Sequence, residues 1–311
     1  MRRPLVALLF ALLALSGCSS ALASPGSAGR AARPSSTGGG AGAARAASTA
    51  PRLQRATKVL VVIEENHSLA QMRRGMPYLA ALSERYGYAT DWRAITHPSE
   101  PNYIAIAGGS TFGIRSDADP ATNARKIGRA PSVFSQARLA GKTAGTFAQA
   151  MPTRCALRPS GPYAVKHNPW AYFAADRAAC RRGDRSTSGF DAAARANRLP
   201  NVGFLIPDLD HDAHDGTLRT ADRWLKARLS PVLASSDFRS GRLVVIVTAD
   251  EDDRHSGNRV LTSVLTPALS HKVARGRLTH YSLTRYIAQV LGVRPLGNGR
   301  TAPDLRAAFG L

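Results

Sequence analysis

Val59-Leu60-Val61-Val62-Ile63-Glu64-Glu65-Asn66-His67 is the stretch from which the fold is read. Five consecutive Val, Leu or Ile residues with no polar alternation predict a strand buried on both faces, as in a parallel sheet. The chain then turns polar at once. Two further runs repeat the pattern. Residues 202–206 lead into Pro207-Asp208-Leu209-Asp210-His211-Asp212-Ala213-His214-Asp215-Gly216, and residues 243–247 lead through Thr248-Ala249 into Asp250-Glu251-Asp252-Asp253. Residues 143–147 and a segment around Val264 supply further strands. Helical spacing marks residues 76–86, with Pro77 in the first turn, and residues 216–233. It also marks residues 131–140 and 281–291, stopped by Gly141 and Gly292. Strands alternating with helices predict an α/β architecture, a mostly parallel central sheet flanked by helices. Residues 148–200 show no regular pattern and read as an irregular insertion, pinned by its two cysteines over the edge of a site.

Open α/β sheets bind ligands at the carboxyl ends of their strands. The three polar stretches are therefore expected to meet. Crowded carboxylates repel, and they need raised pKa values or a cation. A divalent metal is the economical solution; the alternative is that acids simply favour loops and helix N-termini. Thr96-His97-Pro98-Ser99-Glu100-Pro101-Asn102-Tyr103 places a hydroxyl between two prolines, where a helix opens near Pro101. A helix N-terminus favours an anion, which suits a nucleophilic hydroxyl. Ser99 as a simple helix cap stays equally open.

The chain has 311 residues, 44% hydrophobic and 20% charged, which excludes wholesale disorder. Lys and Arg number 42 against 21 Asp and Glu, a formal net charge of +21. That excess points first to nucleic acid or anionic lipid. Yet 36 of the cations are Arg in an Ala-rich chain, which is as much a compositional bias as a patch. Residues 1–56 hold seven Arg and no acid, so residues 57–311 keep +14. Around an acidic pocket, this charge fits a cation inside and an anionic substrate outside, and nucleic acid is not expected as a partner.

Arg2 and Arg3 precede an apolar run, residues 5–15, which is shorter than the roughly 20 residues a bilayer span requires. Leu15-Ser16-Gly17-Cys18 resembles the bacterial lipobox, in which the Cys is acylated and becomes the new N-terminus. Residues 1–18 are read as a lipoprotein signal, residues 19–56 as a flexible Ala/Gly/Ser/Pro/Arg tether, and residues 57–311 as one folded domain. An ordinary signal peptide with an incidental Cys is the alternative. The domain is expected outside the cytoplasm, held at the membrane through Cys18 or secreted. Cys155 and Cys180 remain, and outside the cytoplasm they are expected to pair, two free buried thiols being the alternative.

Ile63-Glu64-Glu65-Asn66-His67-Ser68, the Thr96–Tyr103 segment and Lys166-His167-Asn168-Pro169-Trp170 resemble the phosphoesterase family of bacterial acid phosphatases and phospholipases C. Asp212-Ala213-His214-Asp215-Gly216, Thr248-Ala249-Asp250-Glu251 and His280-Tyr281 extend the resemblance, in order, across essentially all of residues 57–311. Within the family the chain most resembles the secreted mycobacterial acid phosphatases, which act on phosphomonoesters including phosphoinositides. The wider group is similar to the alkaline-phosphatase superfamily.

The resemblance implies an alkaline-phosphatase-like sandwich and a metal-dependent acid phosphatase that forms a phosphoserine on Ser99. A phospholipase C-like phosphodiesterase acting on lipid headgroups is the alternative. It implies one divalent metal held by Glu65, Asn66, Ser99, Asp250 and Glu251. It implies phosphate-side roles for His97, His214 and His280, which stabilise the transition state or protonate the leaving group. Asn102, Lys166 and His167 match phosphate-binding positions. Ala249 departs from the family, which usually has an aromatic residue there. Asp208 and Asp210 are left out of the ligand set, because the family members compared look single-metal. A sulfatase is disfavoured by the lack of a C-x-P-x-R segment. The expected partners are an anionic phosphomonoester and the membrane, with the protein acting as a monomer.

Overall fold

The computed structural model describes residues 53–311. The signal segment, Cys18 and most of the tether lie outside the described residues. Nine strands form one sheet: β1 (Lys58–Glu64), β2 (Gly87–Arg93), β3 (Ala144–Ala148), β4 (Asp184–Ser186), β5 (Val202–Ile206), β6 (Leu243–Ala249), β7 (Arg259–Leu265), β8 (Lys272–Ala274) and β9 (Leu278–Thr279). Their spatial order is β4-β3-β5-β1-β6-β7-β2-β8, with β9 also on β2. Only β7 runs against the rest. The expected mostly parallel sheet is therefore present, and the run that predicted it, Val59–Ile63, lies fully buried at its centre. Flanking helices fall into two mutually packed groups. One holds Ser99–Gly108, Val133–Leu139 and His280–Leu291; the other holds Leu69–Gly75, Pro77–Arg85, Phe190–Arg195 and Leu218–Leu233.

Three features differ from the sequence reading. Strand β2 was not expected: its Thr90 and Asp91 interrupt the apolar run, and its pairing to β7 shifts register between Ala89 and Trp92. Residues 148–200 are more regular than expected. They hold the helices Arg177–Gly183 and Phe190–Arg195, and β4, which extends the sheet edge. These Ala- and Arg-rich segments carry too few large apolar residues to show a period. The folded region also starts before residue 57, since Gln54 N donates to Ser240 O at 2.8 Å.

Cys155 and Cys180 are disulfide-bonded. Beside the bond, buried Asp184 opens β4 and accepts hydrogen bonds from Thr146 Oγ1 and, at 2.8 Å, from Asn168 Nδ2. The disulfide thus closes the insertion on itself, tying Cys155 to the helix Arg177–Gly183, while the Asp184 carboxylate ties it to β3.

The helix Pro77–Arg85 borrows its cap. Its N-cap, Met76, has no acceptor, and Asp222 of the helix Leu218–Leu233 takes hydrogen bonds from Tyr78 N at 2.9 Å and Leu79 N at 3.0 Å. Asp222→Ala should therefore cost about 1–2 kcal/mol, measured as a lower urea midpoint at unchanged slope.

Candidate active site

β1 and β6 are neighbours in register, with Glu64 opposite Ala249. Glu65 and Asp250 consequently leave the sheet side by side. Asn66 has a left-handed backbone (φ 55°), and its N–H donates to Asp250 Oδ1 at 3.1 Å. The loop after β5 joins them, with Glu65 N donating to Asp212 O at 2.7 Å.

Ser99 is the first residue of the helix Ser99–Gly108, and Pro98 is the N-cap. The Ser99 hydroxyl makes no capping bond; it donates to Glu65 Oε2 at 2.9 Å. One turn along the same helix face, Tyr103 OH donates to Glu65 Oε1 at 2.6 Å. The structure thus brings Glu65, Asn66, Ser99, Asp250 and Glu251 to one place.

The electrostatics of this group are costly. Burial, then the charges of Asp250 and Asp212, push the Glu65 carboxyl well above its ordinary range. Burial and Glu251 do the same to Asp250. Burial raises Glu251 to about 8, although Arg254 opposes the rise. Asp250 Oδ2 is buried with no hydrogen-bond partner. Converging carboxylates and an orphaned oxygen fit a hard divalent cation, which prefers oxygen ligands.

A second group lies behind the first. Ligand atoms of Glu65, His167 and Asp212 all fall within 4.8 Å of one another. The buried His167 ring stacks on Tyr103 with centroids 5.0 Å apart. Its nitrogens lie 3.1 Å from Glu65 Oε1 and 3.1 Å from Asp212 Oδ2, in directions that form no aligned hydrogen bond. Burial, then the Lys166 charge, holds its pKa well below the usual imidazole value.

The remaining expected residues separate into two sets. Lys166 and His214 face an open cleft of about 310 Å³, shared with Asn66, Ser99, Glu251 and Arg254. Lys166 Nζ stands 3.0 Å from Asp117 Oδ2 and 3.4 Å from His214 Nε2. His97 packs on the acidic loop, 3.1 Å from Glu251 Oε2 and 3.3 Å from Asp252 Oδ1. Burial and Arg254 lower its pKa.

His167, His280 and Asn102 depart from the phosphate-side roles expected of them. The turn Val165–His167 directs Lys166 into the cleft and His167 behind Glu65. His280 is fully buried: its Nε2–H donates to Asp250 O at 2.6 Å, and its Nδ1 accepts from Trp92 Nε1 at 3.1 Å. Burial pushes its pKa down to about 4, so the ring is a neutral brace for the Asp250 backbone. Asn102 Oδ1 accepts from Ile95 N and Thr96 N, and its Nδ2 donates to Thr96 O and Glu251 Oε2. It ties the segment ahead of Ser99 to the acidic loop, and it has no polar atom left for a phosphate oxygen.

Four site residues escaped the sequence reading. Tyr103 had a usable signal, four residues after Ser99 on one helix face. Asp212 lay inside a quoted motif without a role. Arg254 and Asp117 belong to no pattern; only the folded chain brings them to the cleft.

Residues 71–294 match the model of the Phosphoesterase family. The chain belongs to the Phosphoesterase family. It is 30% identical over 267 residues to a phosphatidylinositol-3-phosphatase of Mycobacterium tuberculosis, covering 84% of this chain and 85% of that one. It is also 30% identical over 233 residues to a phosphate-repressible acid phosphatase of Penicillium chrysogenum, covering 70% of this chain and 55% of that relative. A solved alkaline phosphatase superfamily protein from Vibrio parahaemolyticus superposes with a TM-score of 0.53 at 12% identity, over 84% of this chain and 73% of its own. The lipoteichoic acid synthase LtaP of Listeria monocytogenes does so with 0.55 at 9%, over 79% and 76%. At these identities the structures show a shared fold. This Phosphoesterase family member is a hydrolase of phosphate esters.

The raised carboxyls have a consequence for stability. Glu251 and Asp212 sit at about 8 and about 7 when folded, against ordinary values of 4.5 and 3.8. The folded metal-free enzyme then binds more protons than the unfolded chain. Their contribution is fully present below about pH 4 and is lost as pH rises toward about 8. The Tm of chelator-treated protein should fall across that window and recover when a divalent ion is added. A Tm indifferent to both contradicts this electrostatic account.

Proposed function

We propose that this chain is a metal-dependent acid phosphatase that hydrolyses phosphomonoesters through a phosphoserine on Ser99. The observation that carries the reading is the Ser99 hydroxyl. It opens a buried helix, leaves the capping role unused, and donates to Glu65 at the edge of the cleft. The helix N-terminus favours the alkoxide it would become. Glu65, Asn66, Ser99, Asp250 and Glu251 would hold one divalent cation, which when bound lowers the pKa of the Ser99 hydroxyl and neutralises a phosphoryl oxygen.

The chain's own groups supply the rest. Lys166 and Arg254 offer positive charge to the other phosphoryl oxygens. His214 faces the cleft with Nδ1 2.7 Å from Asp215 Oδ1, which orients its ring. Ser99 Oγ passes its proton to Glu65 Oε2, which already accepts its hydrogen bond, and attacks phosphorus. The ester P–O bond breaks, the leaving oxygen takes a proton from His214, and Glu65 returns its proton to the Ser99 oxygen when the phosphoserine is later cleaved. Water then attacks the phosphoserine, His214 takes its proton back, and Ser99 and inorganic phosphate are released. The two cations beside a cleft of about 310 Å³ favour a monoester dianion over a diester, which carries one negative charge. The name of the mycobacterial relative suggests phosphoinositides as one substrate class.

The Cys155–Cys180 bond supports an extracytoplasmic location. Among the described residues no helix is long and apolar enough to cross a membrane. Attachment would rest on an acylated Cys18, and the protein would work as a monomer.

Ser99→Ala should lower kcat on p-nitrophenyl phosphate by about three orders of magnitude or more, at an unchanged urea midpoint. Acid quenching of the wild-type enzyme during turnover should reveal phosphate on Ser99 by mass spectrometry. Full turnover by the variant would end the assignment. Exhaustive chelation should abolish turnover and a divalent ion should restore it; activity that survives chelation removes the metal from the mechanism.

A further inference from the structure

Arg138, Lys142, Arg182, Arg185 and Arg198 line a single cavity of about 700 Å³, and no acidic side chain lines it. Lys142 precedes β3, Arg182 precedes β4 and Arg198 precedes β5. The cavity therefore opens at the amino ends of these parallel strands, whereas Glu65 and Asp250 lie at the carboxyl ends of β1 and β6. Its wall includes the rings of Phe147 and Trp170. Arg138 is neutralised by Asp176, with Nη1 2.5 Å from Oδ1. Among the described residues, Lys142, Arg182, Arg185 and Arg198 have no carboxylate within 4.0 Å.

Helix ends account for only part of this charge. The helices Val133–Leu139, Arg177–Gly183 and Phe190–Arg195 end close to these cations. Each C-terminus carries about −0.5 charge, so three supply roughly −1.5 against four unpaired cations. Buried Asp184, beyond 4.0 Å, also attracts Arg185, and more than one positive charge still remains in one concavity, whose low-dielectric walls concentrate the field. Arg185 is also held against the wall, its guanidinium 5.4 Å from the Phe147 ring centroid.

We propose that this cavity binds a polyanion bearing phosphate groups, at a site separate from the catalytic cleft. Guanidinium forks match phosphate oxygens in pairs. The volume lies in the range of small-molecule pockets and accommodates a ring carrying several phosphates. Two sources share that chemistry: the headgroup of an anionic membrane lipid and a soluble polyphosphorylated molecule.

The test compares three proteins, all carrying Cys18→Ser so that no acyl chain contributes. They are the parent, Arg182→Glu/Arg198→Glu, and Arg275→Glu/Arg300→Glu, which alters net charge equally at exposed arginines elsewhere. One arm titrates chelator-treated protein with inositol hexakisphosphate. The other measures cosedimentation with phosphatidylcholine vesicles with and without phosphatidylglycerol. Arg182→Glu/Arg198→Glu should weaken binding about tenfold or more in at least one arm, while the control pair keeps it. Turnover of p-nitrophenyl phosphate should be unchanged in all three. Loss confined to vesicles identifies a lipid headgroup, and loss confined to the soluble arm identifies a soluble anion. Equal loss in both double variants reduces the effect to net charge and overturns the proposal, as does binding that neither pair alters.

Discussion

The site is organised around a repulsion. Parallel pairing of β1 with β6 sends Glu65 and Asp250 out of the sheet together, with Glu251 next along the chain. Each is buried, so none can shed its charge into water; Asp250 raises the pKa of Glu65, and Glu251 raises that of Asp250. The neighbouring hydrogen bonds can be understood as a frame that stops these groups from moving apart. Tyr103 and Ser99 hold the two oxygens of Glu65, Asn66 N–H holds one oxygen of Asp250, and Asn102 holds Glu251. Behind them, His280 fixes the Asp250 carbonyl. Frame and repulsion together define a pocket for positive charge, and Ser99 sits on its rim.

This explains why a strongly basic protein concentrates acids at its centre. The surrounding cations are divided by position. Lys166 and Arg254 reach the cleft beside Ser99. Another group gathers at the opposite end of the parallel strands. The sheet therefore separates charge along its strands as well as layers across them, and the two ends of the molecule present different chemistry to solvent.

Much of the architecture was legible because its strands are dense in Val, Leu and Ile. Val59–Ile63, Val202–Ile206 and the core of β6 admit no other reading at that length. β2 was hidden because Thr90 and Asp91 break its apolar run. At the site, the sequence identified which residue types gather at the strand ends but not where their lone pairs and protons go. His280 looked available for phosphate because nothing in a linear motif shows Trp92 and the Asp250 carbonyl occupying both ring nitrogens. Lys166 and His167 are adjacent in the chain, yet one tight turn sends them to opposite sides of Glu65. Arg254 depends on a left-handed backbone (φ 68°) in the acidic loop, a conformation its residue type does not advertise.

The attachment of the insertion carries a further meaning. Asn168, next to the turn that bears Lys166 and His167, hangs on Asp184, and Asp184 lies against the Cys155–Cys180 link at the sheet edge. The wall of the cleft is therefore assembled before any ester arrives. Its ordering belongs to folding and disulfide formation, so binding energy from the substrate is not drawn into organising a loop. On the proposed phosphatase reading, such a cleft discriminates by the shape it already has, and small esters need no large remote group to close the site around them.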